Sequence, residues 1–88
     1  ISLANIMKNY PGLNIEISGH TDNEGEDTFN LKLSEDRAKN VVTFMIANGI
    51  NKDRLSYKGF GETRPLVTND TSANRMKNRR IEFKVLSK

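Results

Sequence analysis

The chain has 88 residues, a length that suits one domain and leaves no room for two independent cores. Its formal charge is +3. Hydrophobic residues make up 35% of the sequence, so a small core has to come from well-placed Ile, Leu, Val, Phe and Met side chains. No apolar run approaches the roughly 20 residues of a membrane-spanning helix. The absence of cysteine excludes a disulfide scaffold, a zinc ribbon and a thiol nucleophile.

The chain opens with a predicted helix and a predicted strand. Apolar side chains recur at the spacing of one helical face, at Leu3, Ile6, Met7 and Tyr10, and the Pro-Gly pair at 11–12 ends this pattern. Apolar and polar residues then alternate from Leu13 to Ser18, which predicts a half-buried strand. A polar, acidic stretch follows, from Gly19 to Thr28.

The rest of the chain is predicted to contain a long helix, a short helical turn and two further strands. The helix is predicted from about Thr28 to Asn48, and its apolar stripe consists of Ala38, Val41, Val42 and Met45. Gly49 favours the left-handed conformation that ends many helices. A short strand at 55–57, a helical turn at 72–77 and an alternating strand at 81–85 complete the order. This order predicts an α/β fold, an α+β sandwich with helices on one face of a small mixed sheet, but it does not predict the strand order.

A polar constellation surrounds the end of the first strand. Asp22 follows this strand end, where α/β folds commonly place ligand-binding groups. Asn30, Ser34 and Arg37 lie at positions i, i+4 and i+7, along one face of the long helix. A carboxylate opposite a guanidinium suits a zwitterionic ligand, since one receives an ammonium and the other holds a carboxylate. The alternative is an internal salt bridge between Asp22 and Arg37.

Four sequence blocks carry a family resemblance. They are GHTDNEG at 19–25, N-x-x-L-S-x-x-R-A at 30–38, GFGE at 59–62 with Pro65, and NRRIEF at 78–83. In this order and spacing they resemble the OmpA-like peptidoglycan-binding domain of OmpA-type porins, Pal lipoproteins and the MotB stator protein. The resemblance implies that residues 1–88 are a single domain of βαβαβ type from a larger envelope protein. The family usually opens with a strand upstream of the first helix, and this chain is expected to begin after it.

The resemblance also implies a function and a site. Such domains bind the diaminopimelate of the peptidoglycan stem peptide without catalysing a reaction, and they use no cofactor or metal. By motif position, Asp22 and Arg37 hold the amino-acid end of diaminopimelate. Four further positions match family contacts: Thr21, Gly25, Asn30 and, with a looser match, Arg79. The implied location is the periplasm, attached to the outer membrane through the parent protein, and some family members form homodimers.

Three other kinds of function can be compared with the residues themselves: nucleic-acid binding, calcium binding and catalysis. A nucleic-acid binder would rest on scattered basic side chains: Lys52, Arg54, Lys58, Arg75, Lys77, Arg79 and Arg80. It would lack stacking platforms, because Tyr10, Phe44 and Phe83 recur at core spacing. A calcium loop starting at Asp22 would need glycine at position 27 and an acid at 33, and neither is present. No Ser/His/Asp set indicates an enzyme, and His20, the sole histidine, is predicted to support the strand end.

Overall fold

The computed structural model describes residues 3–87. The helices are α1 (Leu3–Asn9), α2 (Asp27–Ala47) and α3 (Ser72–Asn78). The strands are β1 (Asn14–His20), β2 (Leu55–Gly59) and β3 (Arg80–Ser87), with one 3-10 turn at Lys52–Arg54 before β2. The predicted helices and strands are all present, and α2 lies within one residue of its predicted bounds at each end.

The three strands form one mixed sheet in the order β2-β1-β3. Strand β1 is parallel to β2 and antiparallel to β3, so Ile17 lies between Tyr57 and Phe83. The parallel pair is joined through α2, as parallel neighbours require a crossover connection. The predicted sandwich of helices and a small mixed sheet is confirmed.

The core lies between the sheet and the helices. It contains eight buried apolar side chains: Ala4, Met7, Ile15, Ile17, Ala38, Val42, Met45 and Ile50. Most of the stripe predicted for α2 is therefore buried, and Val41 packs at its margin. Helix α2 lies over β1 and β2. Among residues 3–87, no helix combines the length and the apolar character needed to cross a membrane.

Two glycines set how closely α2 approaches the sheet. Gly19 and Gly59 are register partners at the ends of β1 and β2. A Cβ atom at Gly19 would lie 2.0 Å from the Ser34 carbonyl oxygen, and one at Gly59 would lie 2.4 Å from the Glu35 nitrogen. Both positions therefore require glycine, because its lack of a side chain lets the helix backbone rest on the strand ends.

Arg54 fixes the end of α1 to the start of β1. Its guanidinium donates hydrogen bonds to the carbonyl oxygens of Met7 and Tyr10, both at 2.8 Å, and to that of Leu13 at 2.9 Å. These carbonyls come from the end of the helix and the turn after it, where helical partners are missing. Arg54 thus has a structural role. It no longer counts among the basic residues that could bind a nucleic acid.

The expectation that the aromatic residues at core spacing are buried is wrong. Tyr10 and Phe44 are each 65% exposed, and Phe83 is 58% exposed. Phe44 lies on the outward side of α2, between the buried Val42 and Met45. Phe83 lies on the same face of the sheet as Ile17, but α2 covers β1 and β2 rather than β3. Periodicity identified the face of the strand correctly, whereas burial depends on what covers that face.

Candidate functional site

The loop between β1 and α2 holds Asp22 in a buried position. The residue is 5% exposed, and its Oδ1 accepts a hydrogen bond of 3.0 Å from the backbone nitrogen of Glu24. This bond to the residue two positions later is an Asx turn, which fixes the carboxylate relative to the loop. The other carboxylate oxygen lies 2.7 Å from a guanidinium nitrogen of Arg79. A buried carboxylate is therefore held by one backbone donor and one charged donor.

Helix α3 faces this loop through two arginines one turn apart. Arg79 pairs with Asp22, and the Arg75 Nε lies 3.0 Å from a carboxylate oxygen of Glu24. The alternative predicted from the sequence, an internal salt bridge between Asp22 and Arg37, is wrong. Among residues 3–87 the basic partner of Asp22 is Arg79, the residue that follows α3. Arg79, which the motif match assigned to the site less firmly than Asp22, contacts Asp22 directly.

Asn30 and Thr21 shape the loop from inside. The buried Asn30 side chain donates from Nδ2 to the carbonyl oxygen of Glu24 at 2.9 Å and to that of Asp22 at 3.5 Å. The Thr21 hydroxyl donates to the same Asp22 carbonyl at 2.9 Å. Gly25 has a φ of 89°, a left-handed conformation that favours glycine, and lies beside Asn30. These sequence-predicted residues therefore come together around Asp22.

Ser34 connects the loop to the turn after β2. Its hydroxyl donates to the Leu31 carbonyl at 2.8 Å and accepts a bond of 2.9 Å from the Gly61 nitrogen. The Gly61 carbonyl in turn accepts from the Thr21 nitrogen at 2.9 Å. The sequence motifs contain Ser34 and Gly61, but the sequence did not predict their contact, because it joins segments 27 residues apart.

Arg37 lies on α2, one helical turn after Ser34, and does not join the hydrogen-bond network around Asp22. It is exposed and follows the fully buried Ser34 by three residues, close to one helical turn. Within residues 3–87 its guanidinium forms no hydrogen bond or ion pair with another side chain. All five N–H donors of the side chain are thus available to an external acceptor.

Glu62 is a carboxyl group at this site that sequence reasoning missed. The neighbouring Asp27 carboxyl is the main cause that raises the pKa of Glu62, whose Oε1 is buried without a hydrogen-bond partner among residues 3–87. Partial burial and the negative charges of Asp27 and Asp22 act in the same direction, while a hydrogen bond from Asn30 opposes them. The GFGE motif contains this residue, but no local spacing indicates that it meets the first turn of α2.

His20 has the supporting position that the sequence predicts. It is 3% exposed, its Nε2 lies 3.0 Å from the Ser18 hydroxyl, and its ring stacks on Phe60 with a centroid distance of 5.4 Å. In the part of the chain that the structure describes, no cluster of three or more acidic or histidine side chains could hold a metal ion.

The network around Asp22 therefore contains a fixed carboxylate and the guanidinium of Arg79, and a second guanidinium, that of Arg37, lies exposed on α2. Asp22 is held by a turn and by Arg79, whose side chain is 41% exposed, while Arg37 is an exposed cation with its donors unused. Such a set can bind a small group that carries both an ammonium and a carboxylate.

Sequence comparison identifies the family. Residues 2–79 match the OmpA family, and the chain belongs to this family. It is 43% identical over 84 residues to outer membrane porin F of Pseudomonas fluorescens, covering 96% of this chain and 26% of the porin. It is 37% identical over 83 residues to the peptidoglycan-binding protein ArfA of Mycobacterium tuberculosis, covering 94% of this chain and 26% of that protein. The chain thus spans about a quarter of these two relatives.

Solved structures share the fold. The C-terminal domain of MotB from Helicobacter pylori superimposes with a TM-score of 0.88 at 33% identity, covering 94% of this chain and 65% of that domain. The cell wall anchor of the type VI secretion system (T6SS) from Pseudomonas aeruginosa gives a TM-score of 0.85 at 30% identity, covering 98% of this chain and 62% of the anchor.

Proposed function

We propose that this chain binds peptidoglycan non-covalently and anchors a larger envelope protein to the cell wall. Two of its relatives are named as a peptidoglycan-binding protein and a cell wall anchor, and both align over nearly the whole chain. The module acts by binding and catalyses no reaction. It works in the periplasm, where the wall polymer is accessible, as one domain of an outer-membrane-associated protein.

We further propose that the bound group is the diaminopimelate of the stem peptide. The observation that carries this proposal is the separation of charges at the site. Asp22 is a buried, oriented carboxylate, whereas Arg37 is an exposed guanidinium without an internal partner. The free end of a diaminopimelate side chain has one ammonium and one carboxylate. It can therefore satisfy both groups, while a simple amine or a simple acid satisfies only one.

In this mechanism the ligand ammonium binds at Asp22, and Arg37 holds the ligand carboxylate with two parallel hydrogen bonds. In the free protein Arg79 contacts Oδ2 of Asp22. Because the Arg79 side chain is partly exposed, it can shift toward the ligand carboxylate. Thr21, Gly25 and Asn30 keep the loop in the shape that presents Asp22. The loop itself then needs little reorganisation when the ligand binds, and Arg79 is the side chain that moves.

Removal of the Arg37 charge is expected to weaken wall binding without affecting the fold. Arg37→Gln takes away one charged hydrogen-bonding group, whose contribution of about 1.5–3 kcal/mol corresponds to a loss of affinity of at least roughly 10-fold. The measurement is cosedimentation with purified diaminopimelate-type sacculi, and Lys39→Gln, another exposed cation on α2, is the matched control. If Arg37→Gln is folded and sediments like the control, Arg37 is not a ligand-binding residue.

A further inference from the structure

A second groove lies on the face of the sheet that points away from the core. Side chains at alternate positions of the strands form this face, among them His20 from β1 and Arg80 and Glu82 from β3. The groove has a volume of about 140 Å³, and Phe60 and Arg64, from the segment after β2, also line it. We call it the outer groove.

One end of the outer groove is a stack of aromatic and cationic side chains. The His20 and Phe60 rings are nearly parallel, with an angle of 14° between their planes. The Arg64 guanidinium carbon lies 3.9 Å from the centre of the Phe60 ring, and the Lys58 Nζ lies 5.2 Å from it. The buried Nδ1 of His20 has no hydrogen-bond partner among residues 3–87. The stack therefore has two cations and one unused ring nitrogen.

The charges around this stack are not balanced. Arg80 forms an ion pair with Glu82 and donates to the carbonyl oxygens of Asn78 and Arg64. Within the described residues, Lys58 and Arg64 have no acidic partner.

Towards the other end of the groove, two charged side chains face each other across neighbouring strands. Glu16 lies opposite Lys84 in the β1–β3 register, so these two residues offset one another. The unbalanced positive charge therefore lies at the Phe60 end.

The positive charge at this end contributes to a lowered pKa of His20. Burial is the main cause that lowers the pKa of His20, and the charges of Arg80 and Arg64 lower it further, while Glu82 acts in the opposite direction. An imidazole whose pKa is lowered by two neighbouring guanidinium groups indicates a place where an anion is favoured. The depressed pKa also provides a readout, because an anion bound there would raise it.

The outer groove adjoins the Asp22 site. His20 precedes Asp22 by two residues, and Arg79 and Arg80 are consecutive, with Arg79 on Asp22 and Arg80 in the groove. A polymer bound at Asp22 can thus continue around the end of β1 into the groove.

We infer that the outer groove is a second subsite, which binds a carboxylate of the same wall polymer next to its diaminopimelate. This inference rests on the proposed function for the identity of the polymer. The carboxylate lies against the Arg64 and Lys58 side chains that flank Phe60, and the unused Nδ1 of His20 is within the same cluster. The stem peptide suits this geometry because it has several carboxylates along one chain.

The subsite is tested separately from the Asp22 site by following the His20 imidazole signals in an NMR pH titration of the Asp22→Asn variant. His20 is the only histidine, so its signals are unambiguous. N-acetylglutamate, which has carboxylates and no ammonium, is expected to raise the His20 pKa more than sodium chloride at equal ionic strength. Arg64→Gln in the same background is expected to remove the difference. Equal effects of the two salts would overturn the subsite.

A second comparison assigns the ligand. Arg64→Gln alone is expected to weaken binding of a diaminopimelate stem peptide about threefold to tenfold and to leave binding of free diaminopimelate unchanged. Lys39→Gln is the control. An equal loss for both ligands would indicate a general effect on the Asp22 site, and no loss for either would remove the subsite from wall binding. If a DNA oligonucleotide bound the outer groove more tightly than the stem peptide, the assigned polymer would be wrong.

Discussion

Asp22→Asn is expected to abolish measurable retention of the chain on diaminopimelate-type sacculi. The substitution removes the negative charge that receives the ligand ammonium. It keeps a side-chain oxygen that can accept the bond from the Glu24 nitrogen, so the turn is preserved. A hydrogen bond between charged groups contributes about 1.5–3 kcal/mol, so affinity is expected to fall roughly 10- to 100-fold. A single stem peptide bound weakly would then fall below detection.

The measurement is cosedimentation at several sacculus concentrations, with Asp36→Asn as the control. Asp36 is an exposed carboxylate on α2 whose only ion pair is a surface contact with Lys32, at 3.9 Å, among residues 3–87. The two variants make the same change in charge, so a general electrostatic effect on wall binding would appear in both. Wild-type retention of a folded Asp22→Asn variant would exclude Asp22 as the ammonium-binding group.

Gly19→Ala is expected to destabilise the fold strongly, and more than Gly49→Ala does. The new Cβ would lie 2.0 Å from the Ser34 carbonyl oxygen and 2.8 Å from its carbonyl carbon, which are backbone atoms of α2. The helix therefore has to move away from β1, because no flexible side chain can give way. Overpacking of this kind costs about 3 kcal/mol or more, a large part of the total stability of a small domain.

Urea unfolding of Gly19→Ala and Gly49→Ala tests this explanation. Gly49 has a φ of 96°, but a Cβ there would meet only the end of the Lys8 side chain, at 3.7 Å. The cost of placing alanine in a left-handed conformation is about 1–2 kcal/mol. We expect Gly19→Ala to be the more destabilised of the two. The reverse order would show that the approach of α2 to the sheet does not depend on Gly19.

Local patterns predicted most of the fold. The apolar face of α2 and the glycine that ends it are visible in consecutive residues of the sequence. The bounds of the helix were therefore predicted to within one residue at each end. The strand order and the exposure of Phe83 depend on which elements pack together. The alternation of residues in β3 contains no information on which strands α2 covers. The burial of Phe83 was therefore overestimated.

The sequence named several residues that the structure brings into contact, but it did not predict which of them pair with one another. Asp22 and Asn30 lie eight residues apart, and the motif spacing placed them correctly in one loop network. The ion pair of Asp22 with Arg79 spans 57 residues, so spacing within the helix favoured Arg37 instead. Glu62 was missed, and the contact of Ser34 with Gly61 was not predicted, for the same reason. Contacts between distant segments require the packed structure, in which the two glycine contacts bring α2 onto the strand ends.

The central claim is that Asp22 and Arg37 together recognise a zwitterion. The most direct test is a calorimetric titration of the chain with two stem peptides that differ only in diaminopimelate or lysine at the third position. Lysine keeps the ammonium for Asp22 but has no side-chain carboxylate for Arg37, so its affinity is expected to be at least roughly 10-fold lower. Equal affinity for the two peptides would contradict the assigned recognition of diaminopimelate.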